Sequence, residues 1–137
     1  MNKGFNLLEL LCALAIVSIL SSLAWPSYVG YMNQSRRAQV QAELTEISVE
    51  LTQARLASAN GLLASGTSTN KTNNNYDFFV TVANDKMKYF ITATPQLNGQ
   101  QVGDGLLSLT SEGLGCWHEG DDKTASLVCT GGKDHAW

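Results

Sequence analysis

From Leu7 to Trp25 the chain reads LLELLCALAIVSILSSLAW, and this run limits what the rest of the protein can be. Fifteen of its nineteen residues are apolar, and Glu9 is its only charge. About twenty apolar residues in a helix cross the ~30 Å hydrocarbon core of a bilayer. Ser18, Ser21 and Ser22 can return their hydroxyls to carbonyls of the preceding turn, so lipid accepts them. A membrane helix is the expected element. A cleaved secretory signal fits less well, because the run exceeds the ~7–15 apolar residues of a signal core. The basic leader is also only Met1-Asn2-Lys3, and a carboxylate stands near the start of the run.

The run leaves the other residues distinctly polar, which excludes a simple soluble globule. At 137 residues the chain makes one domain. Nine Lys+Arg against twelve Asp+Glu give −3, and charged residues are 15% of the total. Such a chain is a poor binder of polyphosphates unless its few cations gather on one face. Three Cys and two His are few for a structural zinc site.

Glu9 is the most informative residue. A carboxylate within the bilayer costs at least about 2.5 kcal/mol and is functional by default. No Lys, Arg or His lies between Gly4 and Arg36, so its own helix offers no cation. Its partner is a chain terminus, another subunit or a proton.

Past Pro26 the pattern stays helical. Val40, Leu44, Ile47, Leu51 and Ala54 form one apolar stripe, with Glu43, Glu46, Glu50, Gln53 and Arg55 outside it. The spacing predicts one helix from about Phe5 to about Asn60, stopped by Gly61. Residues 60–75 form a Gly/Ser/Thr/Asn loop. Its Asn70-Lys71-Thr72 sequon is read as chance. Tyr76–Ala83 and Met87–Pro95 alternate as strands around a turn at Asn84-Asp85-Lys86, and Leu106–Ser111 follows, ending at Glu112-Gly113. The fold class is α+β: a long N-terminal helix packed on an antiparallel sheet.

Gly4-Phe5-Asn6-Leu7-Leu8-Glu9, behind a short basic leader and before an apolar run, resembles the class III signal of type IV pilins. Pro26-Ser27-Tyr28, Tyr31 and Ser35-Arg36-Arg37-Ala38 resemble the next segment of minor pilins, and Tyr89–Pro95, Asp104, Leu107–Leu109, Gly113 and Cys116-Trp117 resemble the sheet of the PilE/ComP-like subgroup. The resemblance covers residues 1–117. It implies the type IV pilin fold with a C-terminal disulfide loop, and three parts: a leader at 1–4, a transmembrane and fibre-core half-helix at 5–31, and a periplasmic or extracellular head at 32–137. It implies cleavage by a prepilin peptidase between Gly4 and Phe5, N-methylation of Phe5, and assembly in which Glu9 meets the Phe5 amine of a neighbour. A paired charge in lipid costs far less than two lone ones. Asn6 and Ser18 depart from the family's usual threonine and helix-loosening glycine.

The implied role is a minor structural subunit of a type IV pilus, with adhesion or motility downstream. The chain would sit in the inner membrane of a Gram-negative bacterium and then in the extracellular fibre. Other pilin subunits in a helical fibre and the inner-membrane assembly machinery are the implied partners. A type II secretion pseudopilin and a DNA-binding competence pilin are the alternatives. From Arg55 onward six Lys+Arg face eight Asp+Glu, and only Lys86 and Lys88 cluster, which speaks against DNA.

An oxidising periplasm pairs cysteines of a secreted head. Cys116–Cys129 is the expected bridge by parity, with Cys12 left as a thiol in the apolar run. Closing such a loop contributes about 3 kcal/mol in the chain-entropy account. His118-Glu119 and Asp121-Asp122 form a ligand-like cluster. Calcium needs six to eight oxygens, so the cluster reads as a solvated acidic turn with no metal. His135 has no partner suggested by sequence. No enzyme and no cofactor are inferred.

Overall fold

A computed structural model describes residues 6–63, 71–123, 129, 132 and 134–137. The chain divides into two compact units, 1–36 and 37–137. Helix α1 spans Leu7–Ala57. Asn6 caps it: its Oδ1 accepts from Leu8 N at 3.4 Å, and its carbonyl accepts from Glu9 N and Leu10 N. Asparagine is among the best residues for this task. Glu9 therefore stands in the first turn, where a negative charge suits the helix dipole.

In the first unit every described residue from Asn6 to Tyr31 is exposed. The helix is long and apolar enough to cross a membrane. Ser18, Ser21 and Ser22 each donate to a backbone carbonyl of the preceding turn, at 2.7–2.8 Å. Pro26 lies inside the helix and brings no N–H to it.

In the second unit α1 buries Val40, Leu44, Ile47 and Leu51. Ala54, expected in the same stripe, is exposed. The helix there gives way to Arg55, whose Nε donates to Gly61 O and whose Nη1 donates to Met87 O, both at 3.0 Å. The helix stops at Ala57, three residues earlier than the spacing predicts, and Gly61 follows with φ of 66°.

Six strands run in sequence order as an antiparallel meander: β1 Lys71–Thr72, β2 Tyr76–Val82, β3 Tyr89–Pro95, β4 Gly105–Thr110, β5 Gly115–Glu119 and β6 Asp134–Ala136. One face, carrying Tyr76, Phe78, Val80, Tyr89, Ile91, Ala93, Leu107 and Leu109, joins the helix stripe in a single core. Tyr89 fixes the helix over it, its hydroxyl lying 2.9 Å from Ser48 Oγ and donating to Ser48 O at 3.1 Å.

The strand expected to begin at Met87 begins at Tyr89, and Met87 is exposed. The turn consumes the difference. Asp85 Oδ1 accepts from the N–H of Met87 and of Lys88, and Lys86 takes a φ of 56°. β4 is buried on both faces, so it reads as a continuous apolar run rather than an alternation. β1, β5 and β6 were not foreseen. Each is short, and β5 and β6 stand on either side of the loop that Cys116 and Cys129 close.

Candidate functional site

The expected cleavage and methylation positions, Gly4 and Phe5, lie outside the described residues. Glu9 is exposed among the apolar side chains of the first unit, and Cys12 is an exposed free thiol. Trp25, Tyr28 and Tyr31, each at least 60% exposed, follow the apolar run. Aromatic residues in that position suit the boundary between lipid and water.

In the head, Arg37 begins the stack that closes one end of the core. Its guanidinium carbon lies 3.6 Å from the centre of the Trp117 ring, and the His135 ring stacks on the same indole at 5.0 Å. Trp117 Nε1 donates to Asp104 O at 2.9 Å. The Asp104 carboxylate lies 3.3 Å from Arg37 Nε, a charge contact whose N–H is not aimed at the oxygen. It also accepts from the buried Tyr76 hydroxyl at 3.2 Å. Burial, reinforced by the Asp104 charge, pushes the Tyr76 hydroxyl upward in pKa. Burial likewise holds the Asp104 carboxyl above the ordinary aspartate value, and Arg37 pulls it only part of the way back.

The acidic cluster read as a solvated turn is a structural device instead. Asp122 accepts from Gly103 N at 2.7 Å and Gly105 N at 2.9 Å, and Asp121 Oδ1 accepts from Lys123 N. His118 is buried, pointing away from the helix. His118 Nδ1 lies 2.9 Å from Asp134 Oδ1, and Nε2 lies 3.3 Å from Ser108 Oγ. This Ser–His–Asp chain imitates a nucleophile–base–orienter relay. Ser108 is 1% exposed, however, so no substrate carbonyl reaches its hydroxyl. The chain of contacts ties β4, β5 and β6 together. Beside it Cys116 and Cys129 are bonded, with Cα atoms 5.6 Å apart. A cleft of about 370 Å³ adjoins the disulfide, lined by Phe90, Thr110, Leu114 and Ala136 among others.

Cations gather at one place. Arg55 reaches the β2–β3 turn that carries the exposed Lys86 and Lys88, but Lys88 Nζ is paired with Glu112 at 2.9 Å. His135, which had no partner by sequence, is 3.2 Å from Glu119 as well as stacked on Trp117. The Arg37–Trp117–Asp104–Tyr76 group is hidden in the sequence because its members come from three elements, α1, β5 and β2, and from the β3–β4 connection. Only the tryptophan beside a cysteine in a polar stretch hinted at it.

A long N-terminal helix on an antiparallel meander with a C-terminal disulfide defines a type IV pilin. A solved type IV pilin from Shewanella oneidensis matches with a TM-score of 0.50 and 25% identity, over 73% of this chain and 99% of that one. The family model described as "Type IV minor pilin ComP, DNA uptake sequence receptor" matches residues 26–110, and the chain belongs to that family. It is 34% identical over 72 residues to the type IV major alpha-pilin of Moraxella bovis, spanning 53% of this chain and 45% of that protein. It is 43% identical over 43 residues to fimbrial protein Q of Moraxella bovis, spanning 31% of this chain and 27% of that one. The chain thus matches less than half the length of either Moraxella relative. Proteins of this family and fold are structural subunits.

Proposed function

We propose that this chain is a minor subunit of a type IV pilus. The observation that carries the reading is the first unit's helix, exposed on every side from Leu7 to Tyr31, largely apolar, and charged only at one carboxylate near its start. A surface of that kind requires lipid or other helices around it. Before assembly, the 5–31 segment holds the chain in the inner membrane, with the 32–137 head in the periplasm. A prepilin peptidase removes residues 1–4 and methylates Phe5. The assembly machinery then moves the helix from bilayer to the core of the extracellular fibre. Glu9 pairs there with the Phe5 amine of a neighbouring subunit, which makes helix register a condition of entry. Family membership supports the pilin reading over the secretion-pseudopilin alternative.

Glu9→Ala tests this. The protein should insert, be cleaved and fold, yet be depleted from sheared pili. An unpaired amine left in an apolar core costs about 3–5 kcal/mol, a factor of hundreds or more in incorporation. Glu9→Gln should be milder, since its amide oxygen still accepts from the amine. Glu9→Ala protein in pili at the wild-type ratio would sink the pairing mechanism. An N-terminus near Trp25 by intact mass would sink the pilin reading itself.

A second reading, DNA capture, is favoured by the family description and by the convergence of Arg55, Lys86 and Lys88 at the β2–β3 turn. The net charge of the head opposes it, and the Lys88–Glu112 pair removes one of the three cations. Duplex binding that weakens with salt and is abolished by Lys86→Glu supports this reading. Absence of salt-sensitive duplex binding removes it.

A further inference from the structure

Cys116, His118 and Asp134 bring a sulfur, a ring nitrogen and a carboxylate oxygen within 4.8 Å of one another. Cys129 is bonded to Cys116, so its sulfur belongs to the same group. The disulfide ties up both sulfurs, and in that form the set takes no cation. Reduction changes its chemistry. We propose that the dithiol form of this head binds one zinc ion through Cys116, Cys129, His118 and Asp134, and that forming the disulfide expels the ion.

Two thiolates, an imidazole and a carboxylate are a ligand set zinc accepts in tetrahedral geometry. With Zn–S near 2.3 Å and Zn–N near 2.0 Å, neighbouring ligand atoms stand about 3.3–3.8 Å apart. The present spacing lies within a side-chain adjustment of that. His118 Nδ1 and Asp134 Oδ1 are already 2.9 Å apart. The ion takes the place of the proton they share.

The far side of the imidazole is also prepared. A histidine bound through Nδ1 carries its proton on Nε2 and needs an acceptor there. Ser108 Oγ lies 3.3 Å from that nitrogen, and Ser108 is 1% exposed. Cys116 and His118 are 3% and 4% exposed, so water competes little for the ion.

The redox balance is simple. A phosphine reductant takes an oxygen from water, and its two electrons and the water's two protons convert the disulfide to two thiols. Zinc then displaces the two thiol protons. Reoxidation by an oxidising disulfide removes two electrons, and the sulfurs, no longer thiolates, release the ion. Ion and disulfide join the same two cysteines. A chain that arrives in an oxidising compartment with free thiols is thus held in the same register until its disulfide forms.

The test uses the full chain in detergent micelles, oxidised and phosphine-reduced, titrated with zinc against a chromophoric chelator and with cobalt(II). The reduced chain should take one ion and show the absorption of tetrahedral cobalt thiolate, while the oxidised chain takes none. His118→Gln and Asp134→Asn should each weaken binding by about tenfold or more, and Ser108→Ala should also weaken it. His135→Gln, on the opposite face of β6, should leave affinity unchanged. Equal binding by the oxidised chain overturns the proposal, as does affinity indifferent to both His118→Gln and Asp134→Asn. If reduction erases the near-ultraviolet dichroism of the head, zinc should restore it, and failure to restore it is equally fatal. Asp134, at a strand end and less buried than His118, supplies the variant least prone to misfolding.

Discussion

Asp104→Ala and Asp104→Asn are expected to behave differently, and the difference measures how the head balances burial against charge. Tyr76 is 0% exposed, and its hydroxyl donates to the Asp104 carboxylate. Alanine leaves that hydroxyl without a partner, at about 1–3 kcal/mol. It also removes the carboxylate facing Arg37, whose side chain is 20% exposed against 13% for Asp104. Breaking a fully buried pair costs about 3–5 kcal/mol. Arg37 keeps some water and the face of Trp117, so we expect about 2–4 kcal/mol in total for alanine. Asparagine keeps an acceptor for Tyr76. It also removes a charge that the folded state disfavours, because burial raises the Asp104 pKa beyond what Arg37 recovers. The asparagine variant should therefore lie within about 1 kcal/mol of the parent at neutral pH. The sign extends to pH. A carboxyl raised on folding contributes stability that is present below its ordinary value and lost as pH rises through the raised one. The parent should gain on Asp104→Asn as pH falls through that window. Urea midpoints at constant slope, followed by near-ultraviolet dichroism of the full chain in micelles, provide the assay. Asparagine as damaging as alanine at neutral pH would show that Arg37 outweighs burial and would refute the argument.

Gln101 is 0% exposed, and neither its amide oxygen nor its amide nitrogen has a hydrogen-bond partner among the described residues. Gln101→Met should raise stability by about 1–3 kcal/mol, read as a higher melting temperature. Gly105 holds a φ of 100°, and a Cβ there would collide with the backbone carbonyl of His118, so Gly105→Ala should unfold the β4–β5 pairing in hydrogen exchange. The atoms nearest an added Cβ at Gly115 belong to the Trp137 ring, at 2.6–2.9 Å, so Gly115→Ala should displace that side chain. Leu44→Ala, at a 0% exposed position, should cost about 2–5 kcal/mol in the same urea assay.

Most elements legible in the sequence share one property: their pattern is set by a single partner surface. The helix stripe from Val40 to Leu51 faces one sheet, and β2 and β3 alternate because one of their faces meets that helix. β4 is buried on both faces and carries no alternation, yet its apolar run still marks it. β5 and β6 carry no strand pattern because glycine, aspartate, glutamate and alanine are depleted in strands, and Trp117 is the one strong strand former between them. They become strands because β4 offers an edge and the disulfide and the Ser108–His118–Asp134 contacts hold them to it.

The same reasoning separates the two kinds of site. Glu9 could be singled out from sequence because its cost comes from its immediate neighbours, which are apolar whatever the rest of the chain does. His118 could not. Its neighbours in sequence, Trp117 and Glu119, face the other side of β5, and its partners Ser108 and Asp134 arrive across the sheet by register, opposite Cys116 and His118 respectively. A histidine in an acidic stretch reads as solvated until that register is known. Antiparallel pairing then places a hydroxyl on one side of the ring and a carboxylate on the other, with the disulfide beside them. The chemistry of the head is therefore a product of strand order, whereas the chemistry of the helix belongs to its local sequence.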